Sequence, residues 1–334
     1  GFVVQPVTLT GKLQDEHEQY TYSSVNLVTT AMFKWRFAKD MDWSMDYQGK
    51  NNQPSFAHII PVRDNTNSQN IIIGNPELKA EFSNRIATSI RKSIISRSQY
   101  LELNFAYNFI SNKIVSDKTV IGNSTVQETS FKNADGYYDL KWYYLFSTPL
   151  FTESLQLDVF GNADYYNNLS YINQQRNLTK QVIYSQTLQL KYSWSDYFES
   201  VFNTNYMLNN AKYTWPYRSE ITAQSFLMSA GTRGYWGKHV TIGAEMSQRF
   251  NDGYTNSFMN KNPTIINAFV EFSFLQNNQA LLRLQGFDLL DQNKNMGIYS
   301  EYIGNDVYEA RNYRLGRYFM VSLNLRLQKF NKKK

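Results

Sequence analysis

Cysteine is absent from the 334 residues, which removes disulfides, thiolate metal sites and cysteine nucleophiles together. Histidine is scarce: His17, His58 and His239 stand far apart, so no pair has zinc-ligand spacing and an HExxH site is excluded. No stretch approaches the roughly 18 consecutive apolar residues that a membrane-spanning helix needs. With a mean hydropathy of -0.52, a bundle of membrane helices is excluded. No Gly-x-Ser-x-Gly elbow, phosphate-binding loop or dinucleotide fingerprint occurs, and no segment keeps a helical period. In DQNKNMG, Asp291, Asn293 and Asn295 have calcium-loop spacing, but Met296 takes the glycine position and Tyr302 the place of the bidentate glutamate, so a polar loop is expected. The sequence therefore leads us to expect no enzyme, no metal and no cofactor.

Concentrated charge is also missing. The net charge is +6 and the pI about 9.1, yet lysines and arginines are scattered among nearly as many acids. Only Lys332, Lys333 and Lys334 form a run, which is not the basic footprint of a nucleic-acid binder.

What the chain does have is aromatic residues, 16% of the total, and alternation. In YLELNFAYNFI (Tyr100 to Ile110), Leu101, Leu103, Phe105, Tyr107 and Phe109 share one parity; Glu102, Asn104, Ala106 and Asn108 share the other. A soluble sandwich turns such an apolar face inward, whereas an outer-membrane barrel turns it toward lipid and lines its lumen with the polar face.

Alternating segments recur near 27-37, 41-50, 82-92, 99-110, 136-147, 154-165, 184-194, 200-210, 220-232, 238-249, 265-275, 279-289 and 315-330, with a weaker one near 2-13. That is about fourteen strands of roughly bilayer-crossing length. Short links alternate with long polar ones (51-81, 111-135, 166-183, 211-219, 250-264, 290-314). An up-and-down barrel produces this rhythm, with tight periplasmic turns and long outer loops.

Charged residues keep to the polar parity: Lys34, Arg36, Asp42, Asp46, Arg85, Arg91, Glu102, Asp139, Lys141, Asp158, Lys191, Glu245, Arg283 and Arg326. These are the candidate lumen-facing residues, expected mainly to pair across strands, because a charge on the lipid side at mid-bilayer costs about 2-4 kcal/mol. Trp142, Trp194, Trp215, Tyr235, Trp236 and Tyr318 are candidates for interfacial girdles. The stretch 220-232 resists assignment, since Gln224 shares a parity with Phe226 and Met228.

The run from Tyr47 to Phe82, YQGKNNQPSFAHIIPVRDNTNSQNIIIGNPELKAEF, resembles the C-terminal barrel of TonB-dependent outer-membrane receptors, most closely the Bacteroidetes outer-membrane β-barrel family. The matching motif residues are Gly74, Asn75, Pro76, Leu78, Lys79 and Glu81, with Ala80 replacing a second proline. They are expected to restart a strand at the outer rim: Pro76 fixes φ, Asn75 is pushed extended and Gly74 permits an unusual backbone. GFDLLDQN (Gly286 to Asn293) and LGRYFMVSLNLRL (Leu315 to Leu327) resemble the family's closing hairpin, and Phe330 its terminal aromatic signal, although Phe330 is out of parity with Leu327.

The resemblance implies one barrel domain over residues 1-334 in a Gram-negative outer membrane, the C-terminal part of a wall of about twenty-two strands. Its partners would be membrane lipid and TonB, the latter reached through a plug that these residues do not resemble. The chain opens at Gly1 without a signal-peptide pattern, so either a leader has been removed or a longer protein precedes it. A scarce nutrient is the implied cargo. A passive pore of about fourteen strands stands as an alternative, as does a structural barrel in a larger complex with a surface lipoprotein or secretion subunits.

Overall fold

The computed structural model describes residues 1-12, 19-122, 126-214, 220-253, 262-293, 297-303, 306-312 and 315-326. His17, Trp215, Asn295, Met296, Phe330, the Lys332 to Lys334 run and the side chain of Tyr302 lie outside the description.

Within it the strands, numbered β1 to β20 along the chain, make an eighteen-stranded sheet and a separate two-stranded one. The wall is an antiparallel meander of β1 (Phe2–Lys12), β2 (Gln19–Ala38), β3 (Met41–Asn52), β6 (Glu81–Ile94), β7 (Gln99–Ser111), β10 (Tyr137–Leu150), β11 (Thr152–Ile172), β12 (Gln175–Trp194), β13 (Phe198–Tyr213), β14 (Ile221–Trp236), β15 (Val240–Asp252), β16 (Thr264–Phe274), β17 (Ala280–Phe287) and β20 (Tyr318–Leu325). Each pairs with the next in chain order. β1 and β20 do not pair with each other, so the sheet is not closed among the described residues.

The alternation seen in sequence becomes two continuous faces. Thr88, Phe105, Trp142, Ala163, Tyr184 and Leu208 are opposite one another across six strands, and Leu103, Tyr144, Gly161, Gln186, Tyr206, Phe226 and Phe250 make the next row. Large apolar side chains on this face are exposed: Trp35, Trp142, Leu188, Ile242 and Leu323 among them. Among the described residues no thick core lies behind it, and five of the nine buried apolar residues there are alanines. An apolar surface this extended needs a cover, and lipid is the cover a wall of such strands takes.

The register also assigns β14, which the sequence left open. Phe226, Met228 and Ala230 lie opposite Tyr206, Thr204 and Phe202, on the apolar face, and Gln224 shares that face because its side-chain oxygen accepts the Tyr206 hydroxyl at 3.1 Å. Trp142, Trp194 and Trp236 stand on the apolar face, but Tyr235 and Tyr318 do not: Tyr235 bonds Glu199 at 3.0 Å and Tyr318 stacks on Phe287 at 4.5 Å, both on the polar face.

The short links are tight, with left-handed residues at Ser98, Phe151, Ser195 and Gly237. The long links are not plain loops, which corrects the expectation. Residues 166-183 are strand but for two: β11 and β12 continue outward to a two-residue turn at Asn173 and Gln174, both left-handed as such a hairpin requires. The stretch 51-81 holds a short helix, α1 (Phe56–Ile59), with β4 (Arg63–Asp64) and β5 (Asn70–Ile73). The stretch 111-135 is a hairpin of β8 (Lys113–Val120) and β9 (Gln127–Ala134), and 290-314 contains β18 (Gly297–Ile303) paired with β19 (Asp306–Asn312). β5 runs parallel to β9 and β8 parallel to β11, so β4, β5, β8 and β9 form one arm above the wall, with β18 and β19 a sheet apart.

Candidate functional site

Two groups of residues stand out: a ladder of charge along the polar face and a clasp at its outer end. Period-two geometry builds the ladder, because every second side chain of a wall strand points to the same side. Arg36 meets Asp42 at 2.9 Å, Arg85 meets Asp46 at 3.0 Å and Arg91 meets Glu102 at 3.2 Å, each bridging neighbouring strands from β2 to β7. Glu102 also accepts hydrogen bonds from Tyr100 and Asn104. Lys191 donates to Asp158 at 2.6 Å, and Ser147 donates to the same carboxylate at 2.5 Å.

Asp139 is buried and accepts from Asn108 at 2.6 Å and from the Tyr137 hydroxyl at 3.1 Å. Lys141 reaches the ring of Tyr166, 5.7 Å from its centre. Arg283 pairs with Glu271 at 2.8 Å and lies 4.0 Å over the ring of Phe269. Lys34 stands opposite Ser44, and Glu245 stands between Gly231 and Asn267; neither has an ion-pair partner among the described residues. Arg326 lies one residue beyond β20, where its backbone N–H donates to the Gln279 carbonyl in a tight link; it is outside the ladder.

The clasp is made by the motif residues. Gly74 runs against the backbone of Ile60 so closely that a Cβ would sit 2.2 Å from the Ile60 carbonyl oxygen. Close approach therefore demands glycine at this position; its φ is not in the left-handed region, which corrects the reason expected from sequence. The Asn75 N–H donates to the His58 carbonyl at 2.6 Å, its side-chain amide donates to the Phe131 carbonyl at 3.0 Å, and its side-chain oxygen accepts the Glu77 N–H at 2.9 Å. Leu78 is only 2% exposed. Lys79 and Asn133 exchange two bonds, the Lys79 N–H to the Asn133 side-chain oxygen at 2.8 Å and the Asn133 amide to the Lys79 carbonyl at 2.9 Å. The first residue of β6, Glu81, accepts the Ile114 N–H at 2.7 Å. Gly74 to Glu81 thus pins the α1 segment and the β8–β9 arm together above the wall.

Sequence reasoning did not find the partners of this clasp. His58 packs against Phe131 with ring centres 4.2 Å apart, Asn133 spans Lys79 and the Asn112 carbonyl, and the Lys113 ammonium lies 4.1 Å over the Tyr137 ring. All come from segments far apart in the chain, and no local spacing announces them. Burial lowers the pKa of His58 below its usual value, with Glu81 acting in the opposite sense, and burial lowers that of Lys113 against the pull of Glu81 and Asp139. The Thr66 hydroxyl and N–H bonded to Asp64 lower that carboxylate's pKa.

Chemically, the two groups offer charged and amide contacts facing water. Among the described residues no three metal-ligating side chains cluster.

Comparison with curated proteins finds no match. Among solved structures the chain is similar to the TodX monoaromatic hydrocarbon channel (deltaS2 mutant), at 9% identity over 98% of this chain and 89% of that one, with a TM-score of 0.30. The model of the outer membrane protein beta-barrel family matches residues 6–325, the whole wall but for the first four residues of β1. A meander of tilted-strand length, apolar on one face and laddered with charge on the other, is what that match covers, and the chain belongs to the outer membrane protein beta-barrel family.

Proposed function

We propose that the protein is the barrel wall of a TonB-dependent receptor-like transporter in a Gram-negative, Bacteroidetes-type outer membrane, passing a scarce nutrient inward. The observation that carries this reading is the fourteen-strand wall whose outer strands β1 and β20 leave their edges unjoined among the described residues. In lipid every backbone donor and acceptor needs a partner, so these edges must be joined, and in the reading proposed here further strands join them. About eight more would bring it to the size of the largest plugged barrels. The plug of such a receptor would carry the contact with TonB, and the ladder of paired charges would face the plug or the passing solute. The resemblance of Gly74 to Glu81 to the receptor motif supports the same reading.

One observation favours a passive pore instead: fourteen is an even number of wall strands, as single-chain barrels require. The test is conductance of the protein extracted whole from its native outer membrane and placed in planar bilayers, with its intact mass measured alongside. A plugged transporter gives a quiet membrane and a mass larger by several hundred residues. A steady open channel with a mass matching this chain overturns the transporter and leaves the pore. A co-purifying surface lipoprotein at equal stoichiometry would move the reading to a structural barrel in an assembly.

A further inference from the structure

A pair of lysines on the outward face is only half neutralised among the described residues. Lys180 on β12 and Lys212 on β13 are directly opposite each other in the register, and both are exposed. Like charges so placed repel. One acid is at hand: Glu220 pairs with Lys212 at 3.3 Å, and Lys180 has no ion pair among the described residues. Arg176, further out on the same strand, is committed to the Asp135 carbonyl at 3.0 Å. On its other side Lys180 faces Asn167, whose amide is committed to the Gly136 carbonyl.

Their depth identifies what lies beside them. On β12 the outward face runs from Trp194 at the tight-turn end to Tyr184, which packs on Tyr206 at 6.3 Å. That interval covers about 33 Å of strand. At a tilt near 45° it spans roughly 23 Å, close to the height of a barrel's apolar band between aromatic girdles. Lys180 lies four residues beyond Tyr184, or roughly 9 Å higher, which is headgroup depth on the long-loop, external side.

We propose that Lys180 and Lys212 together bind the phosphate of a lipid headgroup in the outer leaflet, with the lipid's chains lying along the Tyr184 and Tyr206 girdle. Two ammonium groups, only one of them neutralised, complement a phosphate, and the girdle below supplies the apolar surface for its tails. The site depends on the chain being an outer-membrane barrel and is independent of whether the barrel transports, conducts or scaffolds.

The experiment uses the whole protein extracted from its membrane, reconstituted in phosphatidylcholine vesicles with or without phosphatidic acid, then released and weighed by native mass spectrometry. Phosphatidic acid should remain bound to the wild type. Retention should fall about fivefold for each lysine removed in Lys180→Gln and Lys212→Gln. Lys238→Gln, in an exposed tight link at the opposite end, should retain the lipid and controls for loss of net charge. Resistance of the variants to unfolding by detergent and heat reports that the wall is intact. Equal retention in the double variant overturns the site. Complete displacement by millimolar inorganic phosphate also overturns it, since a lipid held by its tails as well as its phosphate resists a free anion.

Discussion

Gln186 stands on the face that lipid covers, where an unpaired amide would be costly. Its side-chain oxygen accepts the Tyr144 hydroxyl from two strands away and the Tyr184 hydroxyl at 3.3 Å, while its amide donates to the Phe160 carbonyl at 3.3 Å and the Thr187 carbonyl at 3.1 Å. Tyr144 reaches it across Gly161, the residue between them in the row, where a Cβ would lie 2.4 Å from the Ser185 carbonyl oxygen. Removing the hydroxyl by Tyr144→Phe should cost about 1-2 kcal/mol in denaturant unfolding from vesicles, because the amide oxygen keeps only the longer bond. The double variant Tyr144→Phe with Gln186→Leu should recover part of that loss, since it leaves no orphaned amide, although the Tyr184 hydroxyl then loses its acceptor. Gln186 and Gln224 also explain why parity in the sequence was imperfect. Each is a polar residue on the apolar face, made tolerable by a tyrosine that belongs to another strand.

Among the elements, the strands of the wall were legible and those of the outer arm were not. β7, with Leu101 to Phe109 on one parity, announces itself because one side meets an apolar medium and the other meets polar groups. β8, KIVSDKTV, and β9, QETSFKNA, have no such contrast, and their pairing is set by docking on β11 and β5. The motif Gly74 to Glu81 was visible as a pattern, yet its work as a clasp depends on Asn133 and Phe131, more than fifty residues away. Asn75→Ala should therefore loosen the arm rather than the wall, at about 1-3 kcal/mol for the amide partners it strands. Amide hydrogen exchange would show faster exchange through α1 and β8–β9 and unchanged protection in β11 to β13.

Acid should act on the same element. His58 has a folded pKa below its ordinary 6.5, so the unfolded or undocked segment binds the proton more readily. The docked arm is then fully stable above about pH 6.5 and loses stability as pH falls through and below that value. Exchange rates at Ile60 and Asn75, corrected for intrinsic chemistry, should rise between pH 7.5 and 5. In His58→Phe, which keeps a ring against Phe131, that rise should vanish.

For the whole molecule the decisive property is which face meets lipid, and these 334 residues hold no cysteine of their own to compete with one placed in the wall. β14 is the sharpest place to ask, because its sequence does not declare a side while its register does. Phe226, Met228 and Ala230 continue the apolar rows through Tyr206, Thr204 and Phe202 on one neighbour and Phe250, Gln248 and Met246 on the other. Leu227, Ser229 and Gly231 alternate with them and face the side of Glu245 and Arg283. Single cysteines at 226, 228 and 230 in the membrane-embedded protein should resist a charged, water-soluble maleimide. Cysteines at 227, 229 and 231 should react at least about tenfold faster, wherever water reaches the polar face, because successive residues of a strand point to opposite sides. A plug in the lumen would slow the second set without changing the period of two. Equal reactivity along the strand, or the opposite parity, would mean that the register of β13 to β15 is displaced by one residue, a slip that exchanges the two faces of the wall.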